Sequence, residues 1–244
     1  MTAADLTRLY RRIEKRRKLS DQDRLALQSA TDGTSSHGPK RDVVLEGSRP
    51  TKSTLLLSGL AIRYTMLRDG KRQITAIHVP GDFVDLHSYP LEVMDHTVAT
   101  LTPCTFASFP HASLERIAQA SIDLTKTMWM LTLLDAAIHR EWLAAMGGLS
   151  APARAAHLFY ELFVRLQVVG LAQDRGYDFA INQTDLADVL GLSPVHMNRT
   201  LQELRAEDLI EFEHGRITIV DWERLVDLAQ FDAKYLHLRG DESF

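Results

Sequence analysis

The chain has 244 residues, 45% hydrophobic and 25% charged, with a formal net charge of −4 at neutral pH. That is the composition of an ordinary folded protein with room for two domains. No apolar run approaches the roughly 20 residues that span a membrane, the basic start lacks the apolar core of a secretory signal, and a single cysteine, Cys104, excludes an internal disulfide, so a cytoplasmic protein is expected.

Residues 2 to about 30 read as helical. Arg8, Arg11, Arg12, Lys15, Arg16, Arg17 and Lys18 place seven cations in eleven positions, with Glu14 the one acid among them. A solvated helix face is the expectation; contact with nucleic acid or an acidic partner surface is the alternative. Gly33 to Pro39, rich in Gly and Ser, reads as a loop. From Asp42 to Phe109 the pattern changes to short β-rich runs: Val43–Leu45, Leu55–Leu57, Ala61–Leu67, Ile74–Val79, Val98–Leu101 and Thr105–Phe109. Turn signals such as Ser58-Gly59, Asp69-Gly70 and Pro80-Gly81-Asp82 separate them, which implies a small jelly roll or barrel.

A long helical stretch is expected from about His111 to Met146. Leu124, Met128, Leu131, Asp135, Ile138 and Trp142 alternate four and three residues apart, a seam suited to pairing with a second copy. Asp135 interrupts that seam, and a helix packed on its own β-roll is the alternative. Gly147-Gly148 ends the helix and offers a hinge, and Ser150 with Pro152 starts another helix running through Gln167.

The stretch from Gln183 to Leu209 carries the most information. Leu186, Ala187, Val189 and Leu190 make a short apolar helix. Gly191 provides the turn, because glycine alone reaches positive φ cheaply. Ser193 is a good N-cap and Pro194 suits the first helical position. Met197, Leu201 and Leu204 then recur on one helical face. This is the pattern of a helix-turn-helix whose second helix enters the DNA major groove. At about 100° per residue, Val195, Arg199 and Gln202 point away from the buried stripe, with His196 and Asn198 flanking them. Arg pairs bidentately with guanine and Asn or Gln with adenine, while an apolar side chain such as Val195 touches a thymine methyl. Gln183, Thr184 and Ser193, at helix starts, are placed to hold phosphates. The charge balance opposes this reading. Between Ile181 and Val220 stand three Lys or Arg against seven Asp or Glu, although phosphate neutralisation supplies much of DNA affinity.

Gln183-Thr184, Leu186-Ala187, Leu190-Gly191-Leu192-Ser193-Pro194-Val195-His196 and Asn198-Arg199-Thr200-Leu201 resemble the DNA-binding motif of the Crp/Fnr family of bacterial transcription regulators. Gly59-Leu60-Ala61 with Val79-Pro80-Gly81-Asp82-Phe83 is similar to that family's cyclic-nucleotide-binding β-roll, and Ile217 to Leu225 resembles the wing and closing helix of one subgroup. The resemblance runs over roughly residues 20 to 238. It implies an α+β fold: an N-terminal β-roll (jelly-roll-like) sensor domain, a long dimerisation helix and a C-terminal winged helix-turn-helix. The expected divisions are 1–122, 123–149 and 150–244. It also implies a homodimer on a near-palindromic site, with Leu124, Met128, Leu131, Asp135, Ile138 and Trp142 at the dimer interface. Double-stranded DNA, a second copy and RNA polymerase are the implied partners, with no membrane. Pro194 and Val195 stand where some members carry a second arginine and an acidic residue, so the half-site is expected to differ.

Members that bind cyclic AMP carry an acidic residue for the ribose and an Arg-Ser pair for the phosphate. Here Gly81 is followed by Val84-Asp85-Leu86-His87, and Met94-Asp95 stands in place of Arg-Ser. An aspartate facing a phosphate is unfavourable, and methionine has no donor. Gly81, Asp85, Met94 and Asp95 therefore read as a degenerate effector pocket. One cysteine cannot ligate an iron–sulfur cluster, and His78, His87, His96 and His111 match no haem or metal spacing, so no cofactor and no metal site is expected. Two other readings stand behind the regulator: a protein-interaction module that has lost DNA binding, and a metal-dependent enzyme built on the β-roll. The second lacks any His-x-His in 41–110.

Overall fold

The computed structural model describes residues 4–239; the expected helix start at residue 2, and the outer ends of the first and last expected domains, lie outside them. The elements in chain order are α1 (Thr7–Glu14), α2 (Asp21–Ser29), β1 (Thr34–His37), β2 (Asp42–Val44), β3 (Lys52–Ser58), β4 (Ala61–Met66), β5 (Arg72–His78), α3 (Ser88–Leu91), β6 (Thr97–Thr100), β7 (Cys104–Pro110), α4 (His111–Ala120) and α5 (Ile122–Gly148). There follow α6 (Ala151–Val168), β8 (Ala172–Gln173), β9 (Gly176–Asp178), α7 (Gln183–Leu190), α8 (Pro194–Ala206), β10 (Ile210–Glu213), β11 (Arg216–Ile219), α9 (Trp222–Ala229) and a 3₁₀ turn at Ala233–Leu236. The chain forms two compact units. One comprises Met1–Thr65 with Thr75–Ala136, the other Met66–Ile74 with Ala137–Phe244. The division thus falls inside α5, not at the Gly147-Gly148 pair that ends it. No helix of the described residues is long and apolar enough to cross a membrane.

The first unit is a roll of two antiparallel sheets, ordered β1-β7-β3 and β2-β6-β4-β5. Successive strand residues point to opposite faces, and β3 uses both. Leu56 joins Val44, Ala61, Val84, Met94, Val98, Cys104 and Phe106 in the interior of the roll. Its neighbour Leu55 packs outward with Phe109, Leu9, Ile13, Leu114, Leu124 and Leu131, under helices α1, α4 and the start of α5. The stretch Gly33–Pro39, expected as a loop, contains β1. Thr34 to His37 pair with β7 in the register Thr34↔Ala107 to His37↔Cys104, but Thr34, Ser35 and Ser36 are exposed and leave no apolar signal.

The basic run 8–18 is only in part a solvated face: Arg11 and Lys18 are exposed, but others are engaged. Arg12 and Arg16 are each 7% exposed. Arg12 pairs with buried Asp82, Arg8 Nη1 donates to the Leu57 carbonyl at 2.8 Å, and Arg17 pairs with Asp123 at 2.9 Å. Asp82 lies beside Gly81, where φ is +96° and an added Cβ would stand 2.9 Å from the Arg8 carbonyl oxygen. Glycine is needed there both for the backbone conformation and for the close approach of α1.

In the second unit α6 is central, with Phe159, Tyr160, Leu162, Phe163 and Leu166 all buried. Ser150 caps it, accepting from the Ala153 amide at 3.4 Å. Fully buried Glu161 accepts from Trp142 Nε1 at 3.1 Å, Arg165 Nη1 at 3.0 Å and the Tyr235 hydroxyl at 2.7 Å. Those donors hold a charge that burial alone would expel.

Asp85, also fully buried, accepts a hydrogen bond from the Thr54 amide. Burial pushes its carboxyl up to about 7, against the lowering effect of the Thr54 hydrogen bonds and of Arg63. The folded state therefore favours the protonated acid. Its contribution to stability is present below the unfolded-state value near 4 and is lost as pH rises towards 7, by at most about 1.4 kcal/mol per pH unit. Buried histidines act in the opposite sense, so the comparison must be differential. Asp85→Asn keeps the acceptor and removes the titration, and urea unfolding at pH 5 and pH 8 should show the variant gaining on wild type at the higher pH. An unchanged difference between the two pH values would contradict the assignment.

Candidate nucleic-acid interface

Helix α7 begins at Asn182, whose side chain accepts from the Asp185 amide at 2.7 Å. It ends at Gly191 in the left-handed conformation, φ +63° and ψ +37°, and a Cβ there would stand 3.1 Å from Met146 Cε. Ser193 caps α8 by accepting from the His196 amide at 3.2 Å, and Pro194 occupies the first turn. Met197, Leu201 and Leu204 are each no more than 1% exposed. Their burial fixes the rotation of α8 about its axis, so the residues opposite must face solvent.

They do. Val195 is 65% exposed, and His196, Arg199 and Gln202 are also exposed. Among the described residues, no hydrogen bond or ion pair engages Arg199. Asn198 is half-buried, and its Nδ2 donates to Gln183 Oε1 at 3.1 Å. Expected base-side and phosphate-side residues thus meet, and the bond ties α8 to α7. Gln183, Thr184 and Ser193 are exposed at the two helix starts. The wing is the β10–β11 hairpin, in register Ile210↔Ile219 to Glu213↔Arg216. Its two-residue turn, His214-Gly215, has positive φ at both positions, which matches the right-handed twist of the strands it joins.

Part of the acidic surplus is neutralised by ion pairs, while Glu203, Asp208, Glu211 and Glu213 remain exposed. Asp185 is only 5% exposed. Arg72, in the residues 66–74 that belong to this unit, pairs with Asp185, and its Nε and Nη2 donate to Asp188 at 2.9 and 2.8 Å. Gln73 Nε2 donates to the Asp188 carbonyl at 2.7 Å. Glu207 pairs with Arg224 at 3.3 Å. Three of the seven acids are thereby neutralised by cations outside the motif. Arg72 and Gln73 were not identified from the sequence, and no local signal could have done so, since Arg72 lies 113 residues from Asp185.

The long helical stretch breaks at Ser121, where the backbone is extended, φ −141° and ψ +109°. The seam expected to meet a second copy faces its own chain instead. Leu124 is 2%, Leu131 8%, Ile138 6% and Trp142 8% exposed, and half-buried Met128 packs against the same cluster as Leu124 and Leu131. Asp135 Oδ2 accepts from Arg63 Nη1 at 2.9 Å, so it belongs to the inward face. Leu124, Leu131, Ile138 and Trp142 present almost no surface to a partner, while Met128 and Asp135 are half-buried. The exposed apolar residues of α5 are Ile122 (67%), Trp129 (66%), Leu133 (53%), Leu143 (73%) and Met146 (38%).

The expected effector-pocket residues do not form one polar pocket. Gly81 is packed against α1, and Asp85 is engaged by Thr54. Met94, 1% exposed, fills the roll interior. Asp95 stands outside that interior with an exposed carboxylate 2.6 Å from His96 Nδ1. None of the four offers a cyclic phosphate a donor side chain. Cys104 is buried, with Sγ donating to the Leu60 carbonyl at 3.2 Å, and burial pushes its thiol up to about 11. That makes it a packing residue and a poor nucleophile.

Residues 37–121 match the cyclic nucleotide-binding domain, and residues 153–228 match the Crp-like helix-turn-helix domain. The chain is 27% identical over 220 residues to the transcriptional activator protein FnrL of Cereibacter sphaeroides, covering 87% of both chains. It is 27% identical over 179 residues to the nitrogen fixation regulation protein FixK of Bradyrhizobium diazoefficiens, covering 71% of this chain and 72% of that one. The solved structure of FixK2 from Bradyrhizobium japonicum has the same fold, with a TM-score of 0.73 at 22% identity over 80% of this chain and 96% of that one. With the roll, the capped helix pair and both domain matches in agreement, this chain belongs to the Crp/Fnr family of transcription regulators, and its helix-turn-helix domain is the DNA-binding domain.

Proposed function

We propose that the protein acts as a homodimer on a near-palindromic DNA site, with two copies of α8 entering successive major grooves about one helical turn apart. The observation that carries this is the guanidinium of Arg199, exposed on the reading face and held by no described residue. Arg199 takes the principal base contact, to guanine, and Val195, His196, Asn198 and Gln202 tune neighbouring positions. Gln183, Thr184 and Ser193 hold phosphates. RNA polymerase is the further partner. The protein works in the cytoplasm and is not an enzyme.

Dimerisation runs through the outward face of α5, on Ile122, Trp129 and Leu133. Exposure of those large apolar side chains supports it, since such residues gain most from being covered. Control by cyclic AMP is not part of the reading. Met94 occupies the roll interior and the Asp95 carboxylate opposes an anion. An iron–sulfur cluster or haem is also excluded from the proposal, the first because one thiolate cannot replace four.

Two outcomes are expected. Arg199→Ala should weaken binding to a selected operator by roughly 1–3 kcal/mol and relax preference at one base position; wild-type affinity in a gel-shift titration would overturn the assignment. Trp129→Asp should convert dimer to monomer in sedimentation velocity, because it buries a charge at the pairing face. A dimer of unchanged strength would place the interface elsewhere.

A further inference from the structure

The sequence offers no metal motif, yet the fold gathers three ligand-bearing side chains in the first unit. His87, Asp95 and His96 each present a donor atom, and these donors lie within 4.8 Å of one another. The turn around α3 brings His87, eight positions before Asp95, back beside it, and the two imidazole centroids are 4.9 Å apart. The Nε2 atoms of both histidines are buried without a hydrogen-bond partner among the described residues. The His96 side chain is 9% exposed and the Asp95 side chain 76%. A buried nitrogen with no partner is unfavourable, and two of them lie beside one exposed carboxylate.

We propose that His87, Asp95 and His96 bind one divalent transition-metal ion of the zinc class. Imidazole and carboxylate are the donors that such ions prefer. Three protein ligands leave a fourth position for water. Donors about 2.0–2.1 Å from a tetrahedral ion stand about 3.3 Å apart, so pairs near the 4.8 Å limit close by about 1.5 Å, and the Asp95 carboxylate, now 2.6 Å from His96 Nδ1, must swing off that contact to join the ion. Exposed Asp95 gives the ion its approach from solvent.

The electrostatics of the surroundings are mixed. Burial, with the nearby Arg63 cation, pushes His87 down to about 4 and His96 to about 3. The same Arg63 repels an incoming cation, but it is paired with Asp135, and Asp95 adds its own negative charge. His78, the other buried imidazole near Arg63, is also pushed down by burial.

The test is titration of chelator-stripped full-length protein with Zn²⁺ alone by calorimetry, and with Co²⁺ by visible absorption. Wild type should bind one equivalent, with cobalt giving the intense d–d bands of low coordination. His96→Gln and Asp95→Asn should each weaken affinity at least about tenfold, while His214→Gln, an exposed histidine outside the cluster, should not. Asp95→Asn alters an exposed side chain, so its result stands even if His96→Gln fails to fold. Absence of stoichiometric binding by wild type, or binding by Asp95→Asn equal to wild type, would overturn the proposal.

Discussion

A helix can bury only one side, and for α8 that side is chosen by Met197, Leu201 and Leu204. Their burial sets the rotation of the helix and therefore which residues can meet a duplex. Arg199 lies about 165° around the axis from the centre of that stripe, at 100° per residue. The caps fix the other coordinates. Gly191 makes the turn, Ser193 starts the helix, and the Asn198–Gln183 hydrogen bond holds α8 to α7. Reading geometry thus follows from packing of the apolar stripe, and the polar residues inherit their places from it.

The same packing resolves an electrostatic conflict. An acidic helix-turn-helix should repel a polyanion. Here α7 carries Asp185 and Asp188 on the side that meets Arg72, and the carboxylates are neutralised there. Local charge counted along the sequence is therefore a poor guide to the charge that DNA would meet. Arg72 of the 66–74 segment and Arg224 of α9 offset three of the seven acids, and neither is part of the motif. In the first unit the bias runs the other way. Much of the basic run at 8–18, conspicuous in the sequence, is engaged by Asp82, Asp123 and backbone carbonyls, through Arg8, Arg12, Arg16 and Arg17.

Much of this fold was legible because its signals are local. The strands of the roll fall where alternation and turn residues place them, and the helix-turn-helix falls where its caps and glycine do. β1 was missed because Thr34–His37 owes its conformation to the ladder with β7 and buries almost nothing. The seam expected to meet a second copy is mostly buried in its own chain for a different reason. Helix α5 carries two apolar frames. One runs through Leu124, Leu131 and Ile138, the other through Ile122, Trp129, Ala136 and Leu143, seven residues apart. Periodicity cannot say which frame meets its own chain. Asp135, which read as an interruption, marks the inward frame, because its partner Arg63 lies on β4. Pairings of this kind, like Arg72 with α7 or His87 with His96, depend on tertiary approach and leave no spacing to read.

The central claim is that the Arg199 guanidinium reads the major-groove edge of a guanine. It is tested most directly by a double-mutant cycle between protein and DNA. Affinities of wild type and Arg199→Ala are measured on a selected operator and on the same operator with 7-deazaguanine at the protected guanine, which removes the N7 acceptor and little else. The account predicts that the base change weakens wild type and leaves the variant almost unaffected, a strongly non-additive pair. Equal losses for both proteins would mean that Arg199 does not touch that base.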